Sequence, residues 1–278
     1  VKNDKYSVLM SIYINDTIDS VKRSINSVIR QKLPSDDIVI VLDGPVMPEV
    51  YSFIVSLDHP IKKLELTDNV GLGDALKAGL SICKHQWVMR MDADDTCDLS
   101  RSKKLMCYIK KLTNDNVAAV GSYINERNLD DGSALIVKYP SFFIAQKRIH
   151  YFRDPIGHAS VMLNKNAVMK VGGYKGCLYF EDTYLWLRLL NDGYSLATVQ
   201  EALYEARIDD TFYKRRSGFR YLLLELKHLT RFYQEGLISE KSLSMNFVGR
   251  ILFRLLPRVL VQKIYRSLLR SKIGKENT

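Results

Sequence analysis

The chain has 278 residues, 46% of them hydrophobic and 26% charged, which suits a globular protein of one large domain or of one domain plus an appendage. No uncharged apolar run reaches 18 residues, so no membrane-spanning helix is expected. The net charge of +10 is uneven: from Lys214 onward 15 Lys and Arg face 4 Asp and Glu, whereas residues 1–213 carry 26 and 27. A neutral body with a basic tail points to a polyanionic partner, either a membrane surface or nucleic acid.

Ser7 to Tyr13 is short, apolar and partly β-branched, and reads as a buried strand. Asp16 is expected to cap a helix in which Ile18, Val21, Ile25, Val28 and Ile29 recur at helical spacing up to Gln31. Pro34 ends that helix, and Ile38 to Leu42 forms a second buried strand cut by the turn Asp43-Gly44-Pro45. Strand, helix and strand make a right-handed βαβ unit whose two strand ends share one sheet edge. A third strand is expected over Ile61 to Leu66, a loop over Asn69 to Gly73, a helix from Asp74 to Leu80, and a fourth strand over Trp87 to Met91. Leu99 to Leu112 reads as an amphipathic helix and Val117 to Val120 as a strand ended by Gly121. Residues 122–155 read as strands mixed with a loop, Ala159 to Leu163 as a strand, Ala167 to Val171 as a helix stopped by Gly172-Gly173, and Glu181 to Leu190 as a helix ended at Gly193. From Tyr221 the pattern is helical throughout. Arg250, Arg254 and Arg258 lie four apart, as do Arg266 and Arg270; Phe247, Ile251, Leu255 and Val259 form another stripe, broken or kinked at Pro257. Such a basic amphipathic segment either lies on a membrane surface or packs its apolar face onto the body. No secretory leader is expected, and a segment ahead of Val1 is left open. Cys83, Cys97, Cys107 and Cys177 follow no metal or redox spacing and read as free thiols of a reducing cytoplasm.

The run Met91-Asp92-Ala93-Asp94-Asp95 places three carboxylates within four positions at the end of a strand. Crowded like charges call for a positive partner, and a divalent oxygen-loving cation supplies one; a solvated acidic turn capping the next helix is the alternative. Four polar features fall at strand ends: the loop after the first strand, Asp43, the aspartate run, and Glu181-Asp182. In a parallel sheet such ends meet in one crevice. Asp43 is either a turn residue or an acceptor for a nucleobase N–H, and Glu181-Asp182 either complements a helix dipole or does chemistry. The phosphate-binding loop of nucleotide triphosphatases and the dinucleotide fingerprint are both absent, which disfavours those classes.

Together with Ser27-Val28-Ile29-Arg30-Gln31 and Val41-Leu42-Asp43-Gly44, the segment Ser7 to Tyr13 resembles the opening of family 2 glycosyltransferases. Asn69-x-Gly71-Leu72-Gly73, the aspartate run, Gly157-His158-Ala159-Ser160-Val161-Met162 and Glu181-Asp182-x-x-Leu185-Trp186-x-Arg188 continue the resemblance in order across residues 7–216. It implies the bacterial subgroup that builds O-antigen and exopolysaccharide repeats on a lipid carrier. The implied fold is α/β of GT-A type, Rossmann-like with a mostly parallel central sheet. A catalytic domain of residues 1–213 would have a nucleotide-sugar half over 1–121 and an acceptor half over 122–213, followed by a helical appendage over 214–278.

The resemblance also implies roles. Ser11, Tyr13, Asp43, Asn69 and Asp92 would hold the nucleotide, Asp94 or Asp95 a Mn²⁺ or Mg²⁺ ion, and His158, Arg207, Lys214, Arg215 and Arg216 the diphosphate. Asp182 would be the general base and Glu181 would position the acceptor. His158 as a structural hydrogen-bonder and the Arg207–Arg216 stretch as a solvated linker are the alternatives. Two departures stand out: Asp43 lacks the usual acidic neighbour, Leu42 standing there, and Lys77 stands where an asparagine is common. The implied activity is inverting transfer of a hexose, galactose ahead of glucose, from a UDP-sugar to a polyprenyl-diphosphate-linked saccharide, as a β bond, with β-1,3 one option and the linkage position left open. Glucosyl or N-acetylhexosaminyl transfer is the second choice, and nucleotide-sugar binding without turnover or nucleic-acid binding by the tail are readings of other classes. The expected place is the inner face of a bacterial cytoplasmic membrane, with Arg250, Arg254, Arg258, Arg266 and Arg270 on its anionic surface and no nucleic-acid partner.

Overall fold

The computed structural model describes residues 4–114, 116–144, 153–209, 218–255 and 270–272. β1 (Ser7–Ile12) and β2 (Ile38–Leu42) are almost wholly buried, as their β-branched runs require. They pair in parallel, β3 (Ile61–Glu65) continues on β2, and β4 (Trp87–Asp92) lies on the other side of β1. Ser11 sits opposite both Val41 and Asp92, so β1, β2 and β4 end together. Side chains alternate between two cores. Leu9, Val39, Val41 and Val88 face one way, and Val8, Met10, Ile38, Ile40 and Met89 the other.

α1 (Ile18–Ile29), α2 (Pro48–Ser56) and α4 (Arg101–Lys111) cover the second core, and α3 (Leu72–Ile82) the first. The cap of α1 is Thr17, whose hydroxyl accepts from the Ser20 N–H, rather than Asp16. Asp16 instead accepts from the Tyr13 N–H at 2.8 Å and closes the turn leaving β1. α2 escapes the sequence pattern because it is short and buries only Val50 and Ile54.

The sheet extends beyond β4 through antiparallel neighbours. The short β5 (Thr96–Cys97) follows the aspartate run, then come β6 (Val117–Asn128), β7 (Ala134–Val137), β8 (Phe142–Phe143) and β9 (Met162–Asn164). α5 (Lys165–Lys170) and α6 (Glu181–Asn191) precede β10 (Ser195–Ile208), which runs parallel to β6 and also pairs with β5 and β8. Gly121 does not end a strand: β6 runs through it, and a Cβ there would lie 2.8 Å from Ile156 Cγ1. A 3-10 turn over His158–Ser160 replaces the start of the strand expected from Ala159.

Arg101 ties β4 to this second half. It is fully buried, its guanidinium donates to the carbonyls of Arg90 (2.8 Å), Ala159 (3.3 Å) and Val161 (3.4 Å), and it stacks 4.9 Å from the Tyr204 ring centroid. Replacing Arg101 with Met removes these donors and the ring contact, although the Val161 carbonyl keeps the Arg90 N–H at 3.0 Å, and the expected loss of unfolding free energy is about 3 kcal/mol in a urea titration.

The C-terminal part begins with α7 (Phe219–Gln234) and α8 (Glu240–Leu255). Leu229, Phe232, Leu237 and Ile238 enter the first core beside Trp186 and Leu189 of α6. Phe232 stacks on Tyr184 at 5.4 Å, and Tyr184 donates to Glu235 at 2.6 Å. The apolar face of the tail therefore packs, in its first helix, onto the helix that carries Glu181 and Asp182. The helical pattern expected around Arg266 and Arg270 does not hold at its end: β11 (Arg270–Lys272) is a strand that pairs antiparallel with β7. The boundary expected at residues 213 and 214 lies outside the described residues.

Candidate active site

The carboxyl ends of β1, β2 and β4 lie at one sheet edge, and the amino end of α6 reaches it where Glu181 meets Gly73. At the end of β2, Asp43 is buried, and its two oxygens accept from the N–H groups of Val70 (2.7 Å) and Gly71 (3.1 Å). Asn69 donates to the Asp43 carbonyl at 3.3 Å. Gly44, at φ +78°, lets this loop close, since a Cβ there would lie 2.7 Å from the Asn69 nitrogen. The Asn-x-Gly-Leu-Gly segment is thus hung from Asp43, and Gly73 then meets Glu181, whose Cγ would lie 2.8 Å from an added Cβ. Ser11 and Tyr13 are half-buried at the end of β1, on the same rim.

The aspartate run separates into three roles. Asp92, half-buried, forms an ion pair with Arg90, and its N–H donates to the Tyr204 hydroxyl at 3.3 Å. Asp95 is buried and accepts from the Tyr204 hydroxyl and from the Arg207 N–H, each at 2.8 Å. Burial, and then the charges of Asp92 and Asp94, hold the Asp95 carboxyl well above the usual range. Asp94 is the exposed member. Across from it Asp16 is pushed up to about 7, first by burial and also by Asp94 and Asp92. Negative charge therefore accumulates at this edge, which suits a cation. Among the described residues no group of three or more His, Cys, Asp or Glu side chains forms a metal cage. The donor set fits an ion held by one or two carboxylates and completed by phosphate oxygens, the habit of Mg²⁺ in nucleotide sites.

His158 is half-buried, hydrogen-bonded through Nε2 to the Tyr174 hydroxyl at 2.7 Å and set edge-on to Trp186. Burial, with Arg90 nearby, pushes its pKa well down, so the ring is neutral. The Arg207 guanidinium lies 3.9 Å from Glu205, and among the described residues its buried Nε has no hydrogen-bond partner. Lys214, Arg215 and Arg216 lie outside the described residues.

Glu181 and Asp182 open α6, both half-buried. Asp182 Oδ1 accepts from the Thr183 N–H at 2.8 Å, and burial followed by Asp182 raises the Glu181 pKa. Tyr179, two residues before Glu181, has φ 66°, a left-handed conformation costly for a tyrosine and found where a site is tightly constrained. A third carboxylate was not anticipated. Asp154 accepts from the Thr183 hydroxyl at 2.9 and 3.0 Å. Burial, then the Asp182 charge, push its pKa up to about 7. Its only sequence signal is an acid within the irregular stretch just ahead of Gly157-His158. Arg90 and Tyr204 were also missed, because an arginine inside a strand and a tyrosine in an unpredicted one carry no motif.

Arg250, expected on the membrane, points inward: it forms an ion pair with Glu225, which is 2% exposed, and donates to Asn246 at 3.3 Å. A buried carboxylate needs that partner more than a lipid headgroup does. Arg254 falls on α8 and Arg270 in a strand, while Arg258 and Arg266 lie outside the described residues. The outward face of α8 is apolar instead, with Met245, Val248, Ile251 and Leu252 exposed.

Residues 7–172 match the family model described as Glycosyl transferase family 2. The chain is 33% identical to the UDP-Gal:alpha-D-GlcNAc-diphosphoundecaprenol beta-1,3-galactosyltransferase of Escherichia coli, over 96% of this chain and 97% of that protein. It is 30% identical to the amylovoran biosynthesis glycosyltransferase AmsE of Erwinia amylovora, over 94% and 98%. Among solved structures, the mannosyltransferase PcManGT of Pyrobaculum calidifontis in complex with GDP-Man and Mn²⁺ superposes with a TM-score of 0.62 at 15% identity, covering 90% of this chain and 70% of that one.

Proposed function

Because the chain belongs to glycosyl transferase family 2 and has the GT-A fold, we propose that it transfers galactose from UDP-galactose to a saccharide on a polyprenyl diphosphate, with inversion, in building an O-antigen or exopolysaccharide repeat. What supports this reading most is the likeness to a galactosyltransferase acting on a diphosphoundecaprenol-linked sugar, which spans 96% of the chain. The crevice offers matching chemistry. Asp43 keeps acceptor capacity beyond its two backbone contacts, because a carboxylate has about four lone-pair sites, and it reads the uracil N–H. Ser11, Tyr13 and Asn69 line the nucleotide's rim, and Asp92 turns toward the ribose. Arg207 binds the diphosphate through its guanidinium, with Lys214, Arg215 and Arg216 following in sequence. His158, being neutral, contributes a hydrogen bond rather than charge.

In transfer, Asp182 takes the proton of the acceptor hydroxyl. The freed oxygen attacks the anomeric carbon from the face opposite the diphosphate, and the bond from that carbon to the phosphate oxygen breaks with its electron pair leaving on UDP. An α-linked donor then gives a β bond, β-1,3 by likeness to the E. coli relative. Glu181 holds the acceptor's neighbouring hydroxyls. A divalent cation held by Asp94 would supply Lewis-acid neutralisation of the departing diphosphate.

Among the described residues no helix is long and apolar enough to cross a membrane. The exposed apolar row Met245, Val248, Ile251 and Leu252 on α8 supports peripheral contact with the inner leaflet, where a lipid-linked acceptor would be met. The test combines both claims. The protein, Mn²⁺ and a synthetic lipid-diphosphate N-acetylglucosamine in anionic vesicles are offered a panel of nucleotide sugars, with products read by mass and NMR. A β-galactosyl product and co-sedimentation weakened by Val248→Asp are expected. Transfer from another donor alone, or an α product, refutes the donor and stereochemical assignments; absent vesicle binding at low salt refutes the membrane contact.

A further inference from the structure

Thr183 is buried at the first turn of α6 and touches two carboxylates at once. Its N–H donates to Asp182, and its hydroxyl faces both oxygens of Asp154, 29 residues earlier in the chain. Phe180, at the cap position, supplies no side-chain hydrogen bond, so the acids gathered at this helix end come from Glu181 and Asp182 on the helix and Asp154 outside it. The charged groups facing Asp154 come from every element around it: Asp182 from α6, Arg153 beside it, and Arg250 from α8, which is itself paired with Glu225 of α7. Resting on Asp182 as the base, we propose that Asp154 is a positioning residue that holds a negative charge against Asp182 through Thr183 and so strengthens it as acceptor of the hydroxyl proton, with Arg250 of the C-terminal helices limiting that charge.

The consequence is a graded base. Two neighbouring carboxylates titrate as a pair, and the charge on either one makes the other more basic. Asp154, raised to about 7 by burial and by Asp182, takes the first proton as pH falls through neutrality. Asp182 then loses the neighbouring charge and becomes a weaker base, so transfer slows as Asp154 is protonated. The proton of the acceptor still ends on Asp182; Asp154 acts only through the field it sets.

The experiment measures kcat and KM from pH 5 to 9 with UDP-galactose and the lipid-diphosphate N-acetylglucosamine, for the parent, Asp154→Asn, Asp154→Glu and Asp182→Asn. Asp154→Asn keeps an oxygen for the Thr183 hydroxyl. It is expected to lower kcat at pH 8 by about tenfold and to move the acid limb down by about one pH unit, leaving the KM for UDP-galactose unchanged. Asp154→Glu restores the limb. A parent-like profile in Asp154→Asn, or a limb that Asp154→Glu does not restore, overturns the proposal. Transfer retained by Asp182→Asn would instead remove Asp182 as the base, whatever Asp154→Asn does.

Discussion

Asp182→Asn is expected to lower transfer by about 10²–10⁴-fold while leaving UDP-sugar affinity within about twofold, the signature of a lost general base. Asp182 occupies the first turn of α6, half-buried, with one oxygen fixed by the Thr183 N–H. An asparagine has the same shape and still accepts from Thr183, so the fold and donor half should not respond. It cannot take a proton. Isothermal titration with UDP-galactose reads the binding, and a single-turnover assay reads the chemistry. Transfer within about tenfold of the parent would place the base elsewhere, and Asp154 would be the first group to examine.

The parts of this site that could be read from sequence are those whose chemistry is local. A carboxylate at a strand end, as in Leu42-Asp43-Gly44 or Met91-Asp92, is marked by the apolar run before it, and β2 matches its expected bounds of Ile38 and Leu42. The βαβ opening was legible because Val21, Ile25 and Val28 keep a helical period and bury one face. What could not be read is set by contacts distant in sequence. β10 gives no alternation because it serves three neighbours and shifts register repeatedly against β6. Asp154 acquires meaning only when Thr183 meets it. Arg250 looked like one member of an arginine stripe, and its direction depends on Glu225, a buried acid on the preceding helix. Tail charge was visible as composition, but which face carried it was a packing outcome.

Within the aspartate run, adjacent substitutions should separate chemistry from structure. Asp95→Asn puts an amide where two donors converge, the Tyr204 hydroxyl and the Arg207 N–H, so one of its two sides presents N–H against a donor in the buried site. The expected loss is about 2 kcal/mol of unfolding free energy, with activity falling because Arg207 and Tyr204 shift together. Asp94 is exposed, so Asp94→Asn should leave the urea midpoint unchanged while transfer falls by about 10²–10³-fold and the Mn²⁺ concentration for half-maximal rate rises. The two profiles differ in kind: one variant is unstable, the other stable but weakened in its use of the metal. If Asp94→Asn transfers at the parent rate, and chelation leaves the parent undiminished, the cation has no part here. The crowding of Asp92 and Asp94 would then be balanced by Arg90 and Arg207, which would also have to carry the diphosphate's charge.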